Sequence, residues 1–356
     1  MVYCRNCGEE LPEDAYFCHK CGQITLKGEG EGASPREFPP DWESKIESAV
    51  SKAVRNVEEG LMTAIEDSRY GYGAYPYEAE ERKHFGGEAP HDKIYFEVDT
   101  FNGHIEVSTW EKDEYSVELE IVARGRTKED AEKNLKELKV DLEKRIDDDQ
   151  LNLILSIERP VEWRRHYSVD VYAILPERAC IDPHLTSKNG HISISKLHGE
   201  TVRFRTSNGR IELEEVSAKS ITGKSSNGHI VLDGVMGDKV SVKSSNGRIR
   251  GRLEAKAAML TTSNGSIRMD LPCKESGAYK LRTSNGKIDV KVPENPEIGY
   301  YMDLSTSMGK IDIELPDLEY HRRRRNHREA RTTGFEEKEV QIEIEADTSM
   351  GKININ

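Results

Sequence analysis

Four cysteines near the start of the chain carry its most specific chemistry. In YCRNCGEELPEDAYFCHKCG, Cys4 and Cys7 form one C-x-x-C pair and Cys18 and Cys21 a second, with ten residues between the pairs. Two such pairs, each offered by one tight turn, make the four-thiolate tetrahedron that Zn2+ takes in structural sites. Gly8 and Gly22 follow the pairs, where the chain bends through conformations a Cβ disfavours. Four thiolates leave no open position for water, so one structural Zn2+ is expected, on which so short a segment depends for folding. A redox dithiol would place a C-x-x-C at the start of a helix after a strand, a context neither pair has. His19 is either a substitute ligand or a solvent-facing side chain.

A second set of candidate residues is basic and periodic. Around recurrent Ser-Asn-Gly turns, Arg205, Lys224, Lys243 and Arg282 come before the Asn, while Arg210, Arg248 and Lys287 follow the Gly, in company with His191, His229, Lys310 and Lys352. If the repeats stack, these residues form a stripe able to hold an anionic polymer, lipid head groups or nucleic acid. The other reading is a row of solvated charges paired with Glu212, Asp289 and Asp312, which also discourages edge aggregation. A third set lies in HRRRRNHREAR, where Arg322, Arg323, Arg324, Arg325, Arg328 and Arg331 form a basic loop within residues 319–335. That loop lacks the interleaved aromatic platform of a single-strand binder.

No catalytic constellation accompanies these sets, and the chain reads as a non-enzyme. The acids are dispersed; Asp233 and Asp270 share an offset from their turns but have no inserted loops to build a groove around them. No Gly-rich phosphate loop, nucleophile elbow or catalytic metal spacing occurs.

The elements that must position these residues follow from pattern. The chain has 356 residues, 33% charged, and a formal net charge of −13, a composition for two or more domains that weighs against non-specific nucleic-acid binding by the whole chain. Neither a secretion signal nor a transmembrane segment is expected, and thiols in metal spacing favour the cytoplasm, with peripheral membrane contact open. The ribbon fills residues 1–24, and residues 25–41, rich in Gly, Glu, Ser and Pro, read as a flexible linker. Over 42–67, Trp42, Ile46, Val50, Ala53, Val57, Leu61 and Ala64 recur at helical steps, which predicts an amphipathic helix for docking or self-association, the membrane-surface alternative being weakened by the glutamates of its polar face. Residues 68–91, with Tyr70, Tyr72, Tyr75 and Tyr77, read as a second linker. Residues 92–180 alternate as strands, with a turn near Asp147 and one helix capped by Thr127 whose Ala131, Leu135 and Leu138 face inward.

Residues 181–356 repeat. Asn-Gly falls at Asn189, Asn208, Asn227, Asn246, Asn264 and Asn285, and Met-Gly at Met308 and Met350, so the steps are 19, 19, 19, 18, 21, 23 and 42, the last read as two coils. A period of about twenty residues marks stacked coils that cannot bury a core singly. In this frame Val202, Phe204 and Ile211 point inward, and Thr206, Ser225, Ser244, Thr262, Thr283, Thr306 and Thr348 form an inner hydroxyl column. Asn and Gly are expected to supply positive φ at the corner, and the Asn amides to bond from coil to coil. The last residues, TSMGKININ, complete a repeat without a cap, so the helix of 42–67 or another subunit is expected to cover that end.

With these Ser-Asn-Gly-x-Ile repeats, residues 93–356 resemble the adhesin-like β-strand-repeat family, and residues 3–22 resemble the short zinc ribbons found at the N-termini of bacterial and archaeal proteins. The first resemblance implies stacked coils behind a leading region of strands and one helix, binding rather than catalysis, and for some relatives a link to envelope stress. The expectation is a mainly β chain, a β-solenoid with an α+β leading region, a small zinc ribbon and one amphipathic helix. Its expected role is a non-enzymatic binding or scaffold protein with a protein partner, itself, or an anionic polymer or lipid head group. The alternative is a nucleic-acid-associated factor using the ribbon, the basic stripe and the arginine loop.

Overall fold

Alternation of apolar and polar residues becomes paired strand from residue 77 onward. The computed structural model describes residues 2–3, 10–11, 75–147, 149–158 and 166–356. Cys4, Cys7, Cys18 and Cys21, the 25–41 linker, the 42–67 helix and Tyr70 and Tyr72 lie outside the described residues. The chain divides into two units, residues 1–72 and 73–356. In the first, β1 (Val2–Tyr3) pairs antiparallel with β2 (Glu10–Leu11), so two strands flank the first C-x-x-C pair in sequence.

The second unit is one 23-stranded sheet folded into a β-solenoid. Its leading part comprises β3 (Tyr77–Glu88), β4 (Lys93–Thr100), β5 (Ile105–Trp110), β6 (Glu114–Gly125), α1 (Lys128–Glu137), β7 (Lys139–Asp147), β8 (Gln150–Glu158) and β9 (Tyr167–Pro176). Thr127 caps α1 by accepting a hydrogen bond from the Asp130 N–H, and Ala131 and Leu138 are buried as the pattern requires. Residues 77–88, read from the sequence as linker, are strand β3, paired along its whole length with β6. Its outer face is largely solvated, so hydrophobic alternation is weak there and the strand is held by its neighbour's backbone and by ion pairs of Glu78 with Arg124 and Arg82 with Glu120.

The repeats follow as β10 (Cys180–Ser187), β11 (Ile192–Ser195), β12 (His198–Thr206), β13 (Ile211–Glu214), β14 (Ser217–Ser225), β15 (Ile230–Ser244), β16 (Ile249–Thr262), β17 (Ile267–Asp270), β18 (Gly277–Thr283) and β19 (Ile288–Lys291). Each coil is a long strand ending in a buried Ser or Thr, the Ser-Asn-Gly turn, a short strand and a second corner. Neighbouring coils pair parallel and in register, Thr206 beside Ser225 beside Ser244 beside Thr262, and Ile211 beside Ile230 beside Ile249 beside Ile267. Side chains alternate along both strands, so Val202, Phe204, Ile211 and Leu213 enter one continuous core. Gly223 is required by that packing, because a Cβ there would meet the Phe204 ring.

Chain order and stacking order part company at both ends. The coil of β4 and β5 carries its own turn, Asn102-Gly103, which the sequence reading did not count, and it is sandwiched between β8 and β9 on one side and β10 and β11 on the other. At the far end run β20 (Ile298–Met308), β21 (Ile311–Ile313), β22 (Leu318–Arg323), β23 (His327–Thr332), a 3-10 turn at Phe335–Glu337, β24 (Val340–Met350) and β25 (Ile353–Ile355). Here β24 pairs with β18 on one side and β20 on the other, and β25 with β19 and β21. The 42-residue step is therefore not two successive coils. Its first coil skips one place outward, the β22–β23 hairpin pairs antiparallel with β20 and covers its edge, and the final residues return to fill the gap. The expectation of an uncapped last repeat is corrected by the same fact: the last repeat lies inside the stack, and β23 with β22 is the cap.

Candidate functional site along the turn edge

The turn edge is built from three ladders. The innermost is the hydroxyl column. Ser187, Thr206, Ser225 and Ser244 each accept from the Gly N–H of their own turn, as in Gly228 to Ser225 at 2.8 Å and Gly247 to Ser244 at 2.9 Å. Every hydroxyl of the column also donates to the Gly carbonyl of the coil beside it, as in Ser244 to Gly228 at 3.1 Å and Thr262 to Gly247 at 2.8 Å. The pattern runs through Thr306, which reaches Gly351 across the out-of-order pair. From Ser187 to Ser244 one hydroxyl satisfies two buried backbone groups, and from Thr262 onward it satisfies the neighbouring carbonyl, so the column is needed for stability.

Glycine is needed for a different reason from the one expected. None of Gly190, Gly209, Gly228, Gly247, Gly265, Gly286, Gly309 and Gly351 has a left-handed φ; at every one a Cβ would lie under 3.0 Å from the neighbouring turn's glycine carbonyl oxygen. Close approach of stacked backbones selects Gly here. Among the turn glycines only Gly103 has a positive φ (133°); left-handed φ occurs otherwise at the second corner, at Lys196 (53°), Glu215 (54°) and Gly234 (67°), where a side chain other than Gly is strained.

The second ladder is solvent-facing amide. Asn208 donates from Nδ2 to Asn189 Oδ1 at 2.7 Å, Asn227 to Asn208 at 2.7 Å, Asn246 to Asn227 at 2.7 Å, Asn264 to Asn246 at 2.8 Å and Asn285 to Asn264 at 2.8 Å, while Asn189 donates to Asn102 at 2.7 Å. Met350 and Met308 occupy the next two positions and stand opposite each other in register.

The third ladder is basic and flanks the amides on both sides. On the long strands Arg205, Lys224 and Lys243 are adjacent in register, exposed, and without an ion pair among the described residues. The column continues through Thr261 to Arg282, which differs: Arg282 pairs with Glu345 at 2.9 Å and Asp347 at 3.3 Å. On the short-strand side Arg210 pairs with Glu212, Lys287 with Asp289 at 2.9 Å and Lys352 with Asp312 at 2.7 Å, whereas Arg248 has no ion pair among the described residues. Lys280 and Arg282 hold the Glu345 carboxyl below its usual range, and the Lys287 ammonium helps lower Asp289 against the opposing effect of burial.

Two histidines on this side are tied into the stack. Nδ1 of His104 accepts from the His191 backbone N–H at 3.2 Å, and Nδ1 of His229 from that of Arg248 at 3.0 Å. Burial, aided by His104 and Arg210, pushes the His191 imidazole below its ordinary 6.5 against the pull of Glu212, 3.2 Å away.

The arginine segment is a hairpin rather than a loop. Arg322, Arg323, Arg324 and Arg325 lie exposed at its tip, with Arg323 over the Tyr320 ring and Arg322 against His327. Arg331 is structural, paired with Glu319 at 3.3 Å and Glu336 at 3.2 Å, and Arg328 is half-buried near Asp312. The Thr306 N–H donates to Asn326 O at 2.9 Å, so the tip sits beside the turn edge. The sequence-predicted stripe and loop are thus brought to one edge, and the residues missed by sequence reading are His104 and Asn102, visible in TFNGHI, which has the frame of TSNGRI.

Among the described residues no group of three or more His, Cys, Asp or Glu could hold a metal ion, and no helix is long and apolar enough to cross a membrane. The zinc ligand set of Cys4, Cys7, Cys18 and Cys21 rests on its donor chemistry, four thiols in two C-x-x-C pairs.

Comparison with known proteins gives the following. Residues 91–356 match the family model described as Toastrack DUF4097, and residues 3–24 match a zinc-ribbon domain model. No curated protein matches. Among solved structures, an adhesin candidate from Parabacteroides distasonis is 12% identical, covers 78% of this chain and 97% of its own, and has a TM-score of 0.43. An adhesin candidate from Bacteroides fragilis is 13% identical, with 78% and 97% covered and a TM-score of 0.40.

Proposed function

The chain belongs to the Toastrack DUF4097 family, and from that premise we propose that it is a non-enzymatic binding scaffold whose turn edge receives an anionic partner. One observation carries this reading: Arg205, Lys224 and Lys243 stand side by side on adjacent coils, exposed and without ion pairs among the described residues, beside the amide ladder. Parallel strands lie about 4.8 Å apart, so the fold sets three cations at a fixed short repeat, suited to a linear polymer with a charge on every unit. Elsewhere on the same edge Arg210, Lys287 and Arg282 are cancelled locally by Glu212, Asp289, Glu345 and Asp347. Within an acidic chain, an uncompensated row of this kind gives local attraction that net charge alone would oppose.

The zinc ribbon is proposed as a second contact module, held together by one Zn2+ on Cys4, Cys7, Cys18 and Cys21, and the chain as a cytoplasmic assembly factor linked to envelope stress. Cys180 and Cys273 are free thiols, which supports a reducing compartment. The test is titration of the full chain with a linear polyuronate at two salt concentrations. The variant Arg205→Ala/Lys224→Ala/Lys243→Ala is expected to bind at least tenfold more weakly with a shallower salt dependence; unchanged affinity would overturn the assignment. Tighter binding to duplex DNA than to the polyuronate, lost in the same variant, would favour the nucleic-acid reading instead.

A further inference from the structure

We infer that the hairpin-capped end of the turn edge is an insertion site for an anionic lipid bilayer. The starting point is a break in the amide ladder. Where every other turn carries Asn, the last two coils carry Met350 and Met308, opposite each other in register and 50% and 67% exposed. Nothing in the packing asks for methionine there: the side chains leave the stack, and beneath them the hydroxyl-to-carbonyl bond and the crowded glycine recur as in the preceding coils, with Thr348 bonded to Gly286 at 3.0 Å and Thr283 to Gly265 at 2.8 Å. Two flexible apolar side chains are thus presented together where the rest of the edge presents amides.

The unpaired charges beside them are cationic, since Asp347 and Asp312 are taken up by Arg282 and Lys352. Lys310 and Lys352 follow the two turn glycines, and Lys310 is exposed with no ion pair among the described residues. The hairpin tip, fixed beside Thr306 by the bond from its N–H to Asn326 O, adds Arg324 and Arg325, both exposed and likewise without ion pairs among the described residues. Apolar side chains ringed by Lys and Arg are the composition of an interfacial anchor, in which the first enter the acyl boundary and the second meet anionic head groups. A second copy of this chain fits less well, because a two-fold contact would bring two arginine tips together. Nucleic acid fits less well because a methionine offers no planar face on which a base can stack.

This rests on the edge reading above only in taking the partner to be anionic, and the two fail separately. The full chain is sedimented with vesicles of phosphatidylcholine alone and of equal parts phosphatidylcholine and phosphatidylglycerol. Binding is expected to the mixed vesicles and not to the neutral ones. Met308→Asn/Met350→Asn extends the amide ladder and should leave the fold intact, yet is expected to lower partitioning about tenfold while polyuronate affinity stays constant; Arg324→Ser/Arg325→Ser should lower it further. The inference is overturned if the full chain ignores mixed vesicles, or if the double Asn variant binds them as well as the parent. It is also overturned if the Met pair instead supports a concentration-dependent dimer that the double Asn variant loses.

Discussion

The coils of residues 180–291 and those of 298–355 use the same turn but are assembled by different rules. In the first region each coil lies against its predecessor, and the edge carries amides and, at Arg205, Lys224 and Lys243, cations without an ion pair among the described residues. In the second the chain skips a place, returns to fill it, and seals the outer edge with an antiparallel hairpin; there the turns carry methionines, and the long-strand positions next to Arg282 are Asp347 and Ser305. The hydroxyl-to-glycine-carbonyl bond and the crowding at glycine cross both regions, from Ser225 and Gly228 to Thr306 and Gly309. What stacking requires is therefore the hydroxyl and the glycine. The residue between them is free to vary, and it is there that the two regions diverge.

The largest test of that contrast removes residues 340–356. Because β24 and β25 join β20 and β21 to the stack, hydrogen exchange is expected to show loss of protection over 298–308 with protection retained over 202–206 and 240–244; protection kept over 298–308 would mean β20 docks without them. Next, Gly228→Ala in one region and Gly309→Ala in the other should each cost about 4 kcal/mol in denaturant unfolding, since backbone would have to move. Gly234→Ala, at the roomy left-handed corner, should cost only about 1 kcal/mol. A Gly309→Ala variant as stable as the parent would break the claim that both regions stack alike.

Smaller effects sharpen it. Ser244→Ala leaves the Gly247 N–H and Gly228 carbonyl without their partner and should cost about 1–3 kcal/mol. Lys196→Gly and Glu215→Gly should each stabilise by about 0.5 kcal/mol, the relief of a left-handed side chain less the entropy of an added glycine. The pH effect is smallest. His191 binds a proton less readily in the fold than in the unfolded chain, so stability is full above the ordinary value and declines as pH falls through about 6.5 toward the lowered folded value. His191→Gln should flatten that decline.

Much of this was legible in the sequence. A strict interval between Asn-Gly pairs fixed the coil, its inner hydroxyl column and its amide ladder, because in a stack every position in the frame meets its own counterpart. Neighbour identity was not legible for the same reason: Thr348 can bond to Gly286 as well as Thr306 could, so the motif carries no record of which coil lies beside which. Strand β3 was missed because its outer face is solvated and it is held by backbone pairing and by charged and polar side chains, Glu78 with Arg124 and Arg82 with Glu120, which leave no apolar alternation. The positive φ expected at the turns was misplaced because glycine answers two different needs, and crowding by the next coil's carbonyl, which is absent from any single repeat, is the one that applies there. The stripe was readable as a row of cations, but which of them are cancelled depends on acids such as Glu345 and Asp347, which lie 63 and 65 residues away in sequence from Arg282.

The central claim, an edge that meets an anionic partner through Arg205, Lys224 and Lys243, is tested most directly by lysine acetylation of the full chain with and without a linear polyuronate. Lys224 and Lys243 are expected to be protected, while Lys219 and Lys256, held by Glu200 and Asp238 away from the turns, keep their reactivity. Equal protection at all four lysines, or none at Lys224 and Lys243 under saturating polymer, would contradict it.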